Sequence, residues 1–463
     1  MPSPLRPAAT ASRLGHLAIA VTVAFGCARP STAFVVSSPL STRSAVAVPR
    51  KRAQRALTMG SPPLGAEERV VIVGGGIVGA STAYHLALRG VKPIVIERSK
   101  VAAAASGKAG GFLAGGWGSG PTVPMHEISF DMHEKLAETL GVTSYRKIPT
   151  LSVNGGRGGS SPAAWLDGKA SGSLMDSDTA QVTPLELTTK LMEAAKEKGA
   201  EVRIATVSGV SSSPVAGAES DGGAGKEQEE GEGGERRVTA VVLEDGEEIA
   251  CDRVVVAMGP WSCLAEEWFD IAVPMQGIKS TSIVFKGSQQ VADDPYALFC
   301  AEDRNGCHLE VYPRPNGEMY LCGLGGSDYV DPPRLKAGGD CDKPEVIQPD
   351  PSRVTAATNS FKGMTSIGNE GPTVTQACMR PCPPDGLPIM GEVPNVRGAY
   401  ISAGHNCWGI LWGPVTGLLM SELLVDGKTS TVNIGPFSPS RFQSKASSRG
   451  RRKGASDLVG EQW

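Results

Sequence analysis

Three glycines and one acid carry the strongest chemical signal in the chain. Gly74, Gly76 and Gly79 keep the G-x-G-x-x-G spacing, and Glu97 stands at the tip of the next apolar run, in RVVIVGGGIVGASTAYHLALRGVKPIVIER. The three glycines serve different ends, namely a tight turn, close approach of backbone to a pyrophosphate, and tight packing of helix on strand. A helix beginning here aims free N–H groups and its positive dipole end at phosphates. The carboxylate of Glu97 can accept hydrogen bonds from a ribose hydroxyl and would repel a 2′-phosphate. A glycine turn alone is common in α/β proteins. Set in a strand–turn–helix–strand unit with the acid at the second strand's end, it predicts a dinucleotide site.

The elements around that turn are legible from apolar periodicity. After the first unit comes VAAAASGKAGGFLAGGWGSG, dense in Gly and Ala, whose small side chains let backbone lie against a flat ligand. Residues 131–140 read as a short amphipathic helix, 184–198 as a longer one, and 200–207 as a strand extending a parallel sheet. VTAVVLEDGEEIACDRVVVAMGPWS reads as a hairpin turned at Asp245-Gly246, then a buried strand over 254–258 delivering its end onto a glycine turn. From 273 to 374 the texture alternates, with an Asn316-Gly317 turn, and predicts antiparallel strands. GAYISAGHNCWGILWGPVTGLLMSELL closes with a strand, a glycine turn and a helix returning to the first domain.

Composition narrows the classes. The chain has 463 residues and a net charge of −3, which gives no reason to expect nucleic acid as a partner. No acid precedes Glu67, while Arg6, Arg13, Arg29, Arg43, Arg50, Lys51, Arg52 and Arg55 all do. The apolar run 14–27 is short for a membrane span, and Ser31 and Ala33 suit cleavage before Phe34. The acid-free stretch 34–58 that follows resembles an organelle transit peptide, so the two-part leader points to plastid delivery, with secretion or mitochondrial import as competitors. No later stretch reads as apolar enough to cross a membrane. Ten cysteines, one of them Cys27 in the leader, show no C-x-x-C pair or metal-type histidine spacing, and the others read as mostly buried thiols in a reducing compartment rather than as a disulfide framework or a metal site. Residues 211–237 and the basic tail 437–463 have almost nothing to bury and read as disordered.

Four pieces in this order resemble the D-amino acid oxidase, glycine oxidase and sarcosine oxidase family of FAD-dependent oxidoreductases, in a eukaryotic subgroup. They are VVIVGGGIVGASTAYHLALRG with Glu97-Arg98, ASGKAGGFLAGG, DRVVVAMGPWS, and CMRPCPPDGLPIMG followed by GHNCWGILWGPVTGLLMSELL. The resemblance implies an α/β fold of D-amino acid oxidase type, with a Rossmann-like FAD-binding domain and an α+β substrate domain built on an antiparallel sheet. The chain then divides into a presequence (1–66), FAD-binding segments (67–150, 183–272 and 376–436), substrate segments (151–182 and 273–375) and the tail.

The resemblance also implies roles residue by residue. Gly74, Gly76 and Gly79, with the amides of Ile77 and Val78, would hold the FAD pyrophosphate. Glu97 would bind the adenosine ribose, Arg98 would lie along the adenine, and Val207 would meet it through its backbone. Ser106, Gly110 and Gly111 would run beside the pyrophosphate and the isoalloxazine edge, and Gly259 would contact the adenosine or pyrophosphate part. Gly404, His405, Asn406 and Gly409 would lie at the flavin's pyrimidine end. There a helix start stabilises charge at N1 and O2; the plainer reading of His405 is a buried, hydrogen-bonded histidine. Arg380 of Met379-Arg380-Pro381 would pair with a substrate carboxylate through its rigid fork, or else bridge the two domains. Cys378 stands where sarcosine oxidases bond a sulfur to the flavin, or is a small core residue.

The activity this implies is oxidation of an amine or amino acid, with hydride passing from carbon to flavin N5 and reoxidation by oxygen or another acceptor. A dehydrogenase passing electrons to a quinone or protein, and a flavin-bearing assembly or trafficking factor without turnover, are the alternatives. The lysine that sarcosine oxidases carry three residues after the corresponding histidine is Trp408 here, and only Tyr312 and Tyr320 offer themselves as active-site tyrosines. The departures leave the substrate open.

Overall fold

The computed structural model describes residues 62–215 and 234–443. The first unit forms as its pattern predicts: strand Val70–Val73, helix Ile77–Leu88, strand Ile94–Glu97. All four residues of the first strand are buried because both faces of its sheet are covered. Val70 and Ile72 join the core under the helices, while Val71 and Val73 join a second core on the opposite face with Val241, Leu243, Val254 and Val256.

The parallel sheet has six strands in the order Ile389–Glu392, Ala399–Ala403, Arg253–Val256, Val70–Val73, Ile94–Glu97, Glu201–Ile204, of which only the first edge strand is antiparallel. The chain leaves Val70–Val73 to one side and later returns on its other side. That reversal opens a crevice at the carboxyl ends of the strands, where ligands of such sheets bind.

The second sheet is built around Gln276–Phe285, paired with Pro372–Cys382 on one edge and with Met319–Cys322 and Asp328–Val330 on the other. It continues through Glu310–Pro313, Ala297–Cys300, Thr150–Gly155 and Ala170–Asp176, antiparallel except between Ala297–Cys300 and Thr150–Gly155. Strand Pro372–Cys382 is continuous through residues 375 and 376, so Cys378 and Arg380 belong to this sheet.

Several boundaries differ from expectation. The helix expected over 131–140 begins at Val123 and ends at Leu140, because Pro124 sits in its first turn, where a missing N–H costs nothing. The single strand expected over 200–207 is two: Glu201–Ile204 in the parallel sheet, then Val207–Pro214 running antiparallel to Arg236–Leu243. Residues 211–214 and 236–237 are therefore ladder-bonded strand rather than loop, the Val215 N–H donates to the Glu235 carbonyl, and residues 216–233 of that expected insert lie outside the described residues. The expected tail starts too early, since Phe437 is fully buried and Arg441 bonds Asp385 and the Leu387 carbonyl. Of the expected presequence, 1–61 lies outside the described residues, while the Pro62 carbonyl accepts from Arg253 and the Leu64 N–H donates to Val425 O.

One stretch, Asn406–Asp426, is after all long and apolar enough by composition to cross a membrane, with a mean hydropathy of 1.3 over its most apolar 18 residues. Its apolarity is accounted for by burial: helix Gly409–Asp426 packs between Ile77–Leu88 and Val123–Leu140. Gly413 and Gly417 let it approach closely, since added Cβ atoms would stand 2.5 Å from Ile77 and 2.2 Å from Ser81.

Candidate active site

A single cavity runs from the end of the Ile94–Glu97 strand, along the glycine turn, to the inner face of the second sheet. Its walls include Gly74, Gly76, Ile77, Val78, Glu97, Arg98, Ser106, Gly110, Gly111, Val207 and Gly259 at one end. At the other stand Cys378, Arg380, Gly404, His405, Asn406 and Gly409. Of the residues the resemblance implied, only Gly79 is not in the wall. A Cβ there would stand 1.9 Å from the Gly74 carbonyl, so its role is to let the helix pack onto the turn.

The dinucleotide end is shaped by backbone. Gly74 holds a φ of 111°, and a Cβ on it would meet the Ala257 carbonyl at 2.4 Å. Helix Ile77–Leu88 starts without a side-chain cap from Gly76, and the Ile77 N–H instead donates to Ser106 Oγ at 2.8 Å. Glu97 is buried, its Oε2 accepting from Gly75 N–H at 2.7 Å and its Oε1 from Ser99 N–H at 2.9 Å. Burial raises its carboxyl, the Ser99 and Gly75 bonds oppose that, and nearby Glu345 adds to the rise. Arg98 donates to the Asp342 carbonyl at 2.8 Å, which brings the 342–346 segment over this end.

The other end is a patterned sheet face. Register places Cys378 opposite Ser280, Glu310 opposite Cys322, and Tyr312 opposite Tyr320, and alternation along each strand turns these residues into the cavity. The two tyrosine rings stack at 7°, and Phe112 stacks on Tyr312 at 12°. Gly110 lies against this stack, where a Cβ would come within 2.4 Å of the Tyr312 ring. The Tyr312 hydroxyl donates to Glu310 Oε2, and burial, with Glu310 next in weight, holds that phenol well above its ordinary value.

Arg380 is the main cation of this end. Its buried Nε has no hydrogen-bond partner among the described residues. Burial works against its charge, yet the guanidinium is held above its ordinary value, with the Glu310 carboxylate nearby. Burial pushes the thiols the other way, Cys382 and Cys407 to about 12 and Cys378 upward, so all three stay protonated. His405 is 2 % exposed, pushed down to about 3 by burial, and joined through Nε2 to Thr416 Oγ1 at 3.0 Å. It is therefore a neutral imidazole bonded to a side-chain hydroxyl. The backbone where Asn406–Trp408 leads into helix Gly409–Asp426 lies at this same end, and a helix start there suits negative charge.

Sequence reasoning missed Glu310, Cys322 and Cys407. Glu310 stands two residues before Tyr312 in one strand, so period-two alternation puts both on one face. Which face meets the cavity depends on the pairing of four strands.

This cleft fits a flavin dinucleotide: a helix start and an acid at one end, glycines that exclude bulk along its length, and at the other a guanidinium whose Nε has no partner among the described residues. The family model "FAD dependent oxidoreductase" matches residues 69–423. The chain belongs to this family. It is 27% identical over 394 residues to a protein described as an oxidoreductase in Schizosaccharomyces pombe, covering 80% of this chain and 97% of that one. It is 26% identical over 418 residues to a glycine oxidase of Geobacillus kaustophilus, covering 81% and 97%. Among solved structures, L-amino acid deaminase from Proteus myxofaciens shares the fold at a TM-score of 0.64 and 19% identity, over 83% of this chain and 96% of that one. The family implies FAD as cofactor, and this chain is an FAD-dependent oxidoreductase.

Proposed function

We propose that the protein oxidises an amine or amino acid at the carbon bearing nitrogen, and that it does so as an oxidase. The observation that carries this reading is Arg380, a part-buried guanidinium whose buried Nε lacks a partner among the described residues, and which lines the cavity with the stacked tyrosines. A fork of fixed charge is suited to a carboxylate and poorly suited to an uncharged alcohol or sugar. The glycine oxidase likeness supports the same substrate class. When bound, FAD supplies the acceptor, at its N5, for the hydride leaving the substrate carbon.

The chain's residues do the rest. Gly74, Gly76, Ile77, Val78 and Ser106 would hold the pyrophosphate, with Glu97 at the ribose and Arg98 at the adenine. Arg380 would anchor the substrate so that its reacting carbon is presented in one orientation, which can lower a barrier by several kcal/mol, about 7 at the lower end for well-oriented groups. Tyr312, Tyr320 and Phe112 wall the site and keep water out.

The test is anaerobic mixing of the purified holoenzyme with a panel of amino acids and amines, followed by air. Bleaching of the flavin band by an amino acid, then peroxide release, is the expected result. Bleaching without peroxide assigns a quinone or protein acceptor, and no bleaching by any member overturns the reading. Acid precipitation distinguishes the two roles of Cys378: colour in the pellet means a thioether to the flavin, and colour in the supernatant means a packing residue.

A further inference from the structure

Glu310 shares the cavity with Arg380, and the function proposed above gives it no role. Two donors pin its carboxylate. The Tyr312 hydroxyl and the Cys322 thiol (3.4 Å) both donate to Oε2, while Oε1 has no partner among the described residues. Arg380 and Glu310 feel each other electrostatically, yet no ion pair joins them. Their strands, Pro372–Cys382 and Glu310–Pro313, are separated in the sheet by Gln276–Phe285 and Met319–Cys322. Opposite charges in a low-dielectric pocket gain most by meeting. Here the sheet holds them apart, each with an unused hydrogen-bonding atom, as a receptor for a ligand bearing both charges would.

We propose that Glu310 is a specificity-determining residue that accepts the substrate's ammonium while Arg380 takes its carboxylate, so that the site selects zwitterionic amino acids over simple amines and simple carboxylates. The ammonium offers three N–H donors, and Oε1 is an open acceptor. This assignment rests on the carboxylate reading of Arg380.

Two unreactive probes of nearly equal shape test it: 2-aminoisobutyrate and pivalate, which differ by an ammonium in place of one methyl and carry no hydrogen on the central carbon. Their Kd values are read from the perturbed flavin spectrum of the holoenzyme. The unaltered protein is expected to prefer 2-aminoisobutyrate by about tenfold or more, as a charge-assisted pair implies. Glu310→Gln, which keeps shape, abolishes that preference and leaves pivalate binding in place. Arg380→Gln weakens both probes together.

Weakening by Arg380→Gln with an unchanged preference in Glu310→Gln overturns the role of Glu310 alone. Unchanged binding of both probes in Arg380→Gln removes the carboxylate reading as well. Should Glu310→Gln fail to fold, the unaltered protein still decides, because equal affinity for the two probes, or no binding of either, contradicts the proposal.

Discussion

At the scale of single residues, the site depends on a guanidinium and a carboxylate kept apart and on the small residues that leave room beside them. Arg380→Gln is expected to weaken pivalate binding by about 2 kcal/mol or more, roughly thirtyfold, measured by spectral titration. Arg380→Lys restores charge but not the planar fork, and is expected to recover only part of that loss. Gly110→Ala puts a Cβ within 2.4 Å of the Tyr312 ring, so the variant is expected to purify with less flavin per chain, read from the ratio of visible to ultraviolet absorbance. Arg380 was legible because the Met-Arg-Pro run stands in a recognisable order of motifs. Glu310 was not, because a lone glutamate in an alternating strand reads as a solvated face until the neighbouring strands fix which side is inside.

At the scale of elements, the final helix shows how a core repairs its own irregularity. Pro414 has no N–H to give the carbonyl of Ile410, four residues earlier. His133, from helix Val123–Leu140, fills that need with Nε2 at 3.1 Å from Ile410 O and 3.2 Å from Leu411 O, and Ser129 accepts from Val415 N–H at 3.2 Å. The helix can therefore keep its start at the cavity despite the proline. His133→Leu leaves a buried carbonyl unsatisfied and is expected to lower unfolding free energy by about 1–3 kcal/mol in urea titration. Gly417→Ala, with its Cβ 2.2 Å from Ser81, is expected to cost a comparable amount, about 1–3 kcal/mol, through overpacking. The glycine turn was readable from its spacing and the strands either side of its helix from their apolar runs, whereas the strand expected over 200–207 leaves the parallel sheet at Ile204. The length of helix Val123–Leu140 was not, because its buried His126, Ser129 and His133 look like polar surface until their partners are known.

For the whole molecule, buried histidines set an acid limit. His133 is held down to about 4 and His405 to about 3, both mainly by burial. Between pH 6.5 and 4 the unfolded chain binds protons at these positions and the folded chain does not, so stability falls as pH falls through that window. Each contributes a slope approaching about 1.4 kcal/mol per pH unit. Unfolding midpoints measured across the window are expected to drop steadily, and a flat profile would contradict the burial of both rings. The leader remains a proposal: a fluorescent protein carrying residues 1–66 is expected to enter plastids when expressed in an alga with secondary plastids, and secreted or mitochondrial fluorescence would count against it.

Every role assigned above presupposes that the cavity between the two sheets holds FAD. The most direct measurement is the visible absorption spectrum of the purified chain, with its nucleotide identified after denaturation. A flavin band with close to one FAD per chain is the expected result. A colourless protein that stays colourless when refolded or incubated with excess FAD would contradict it.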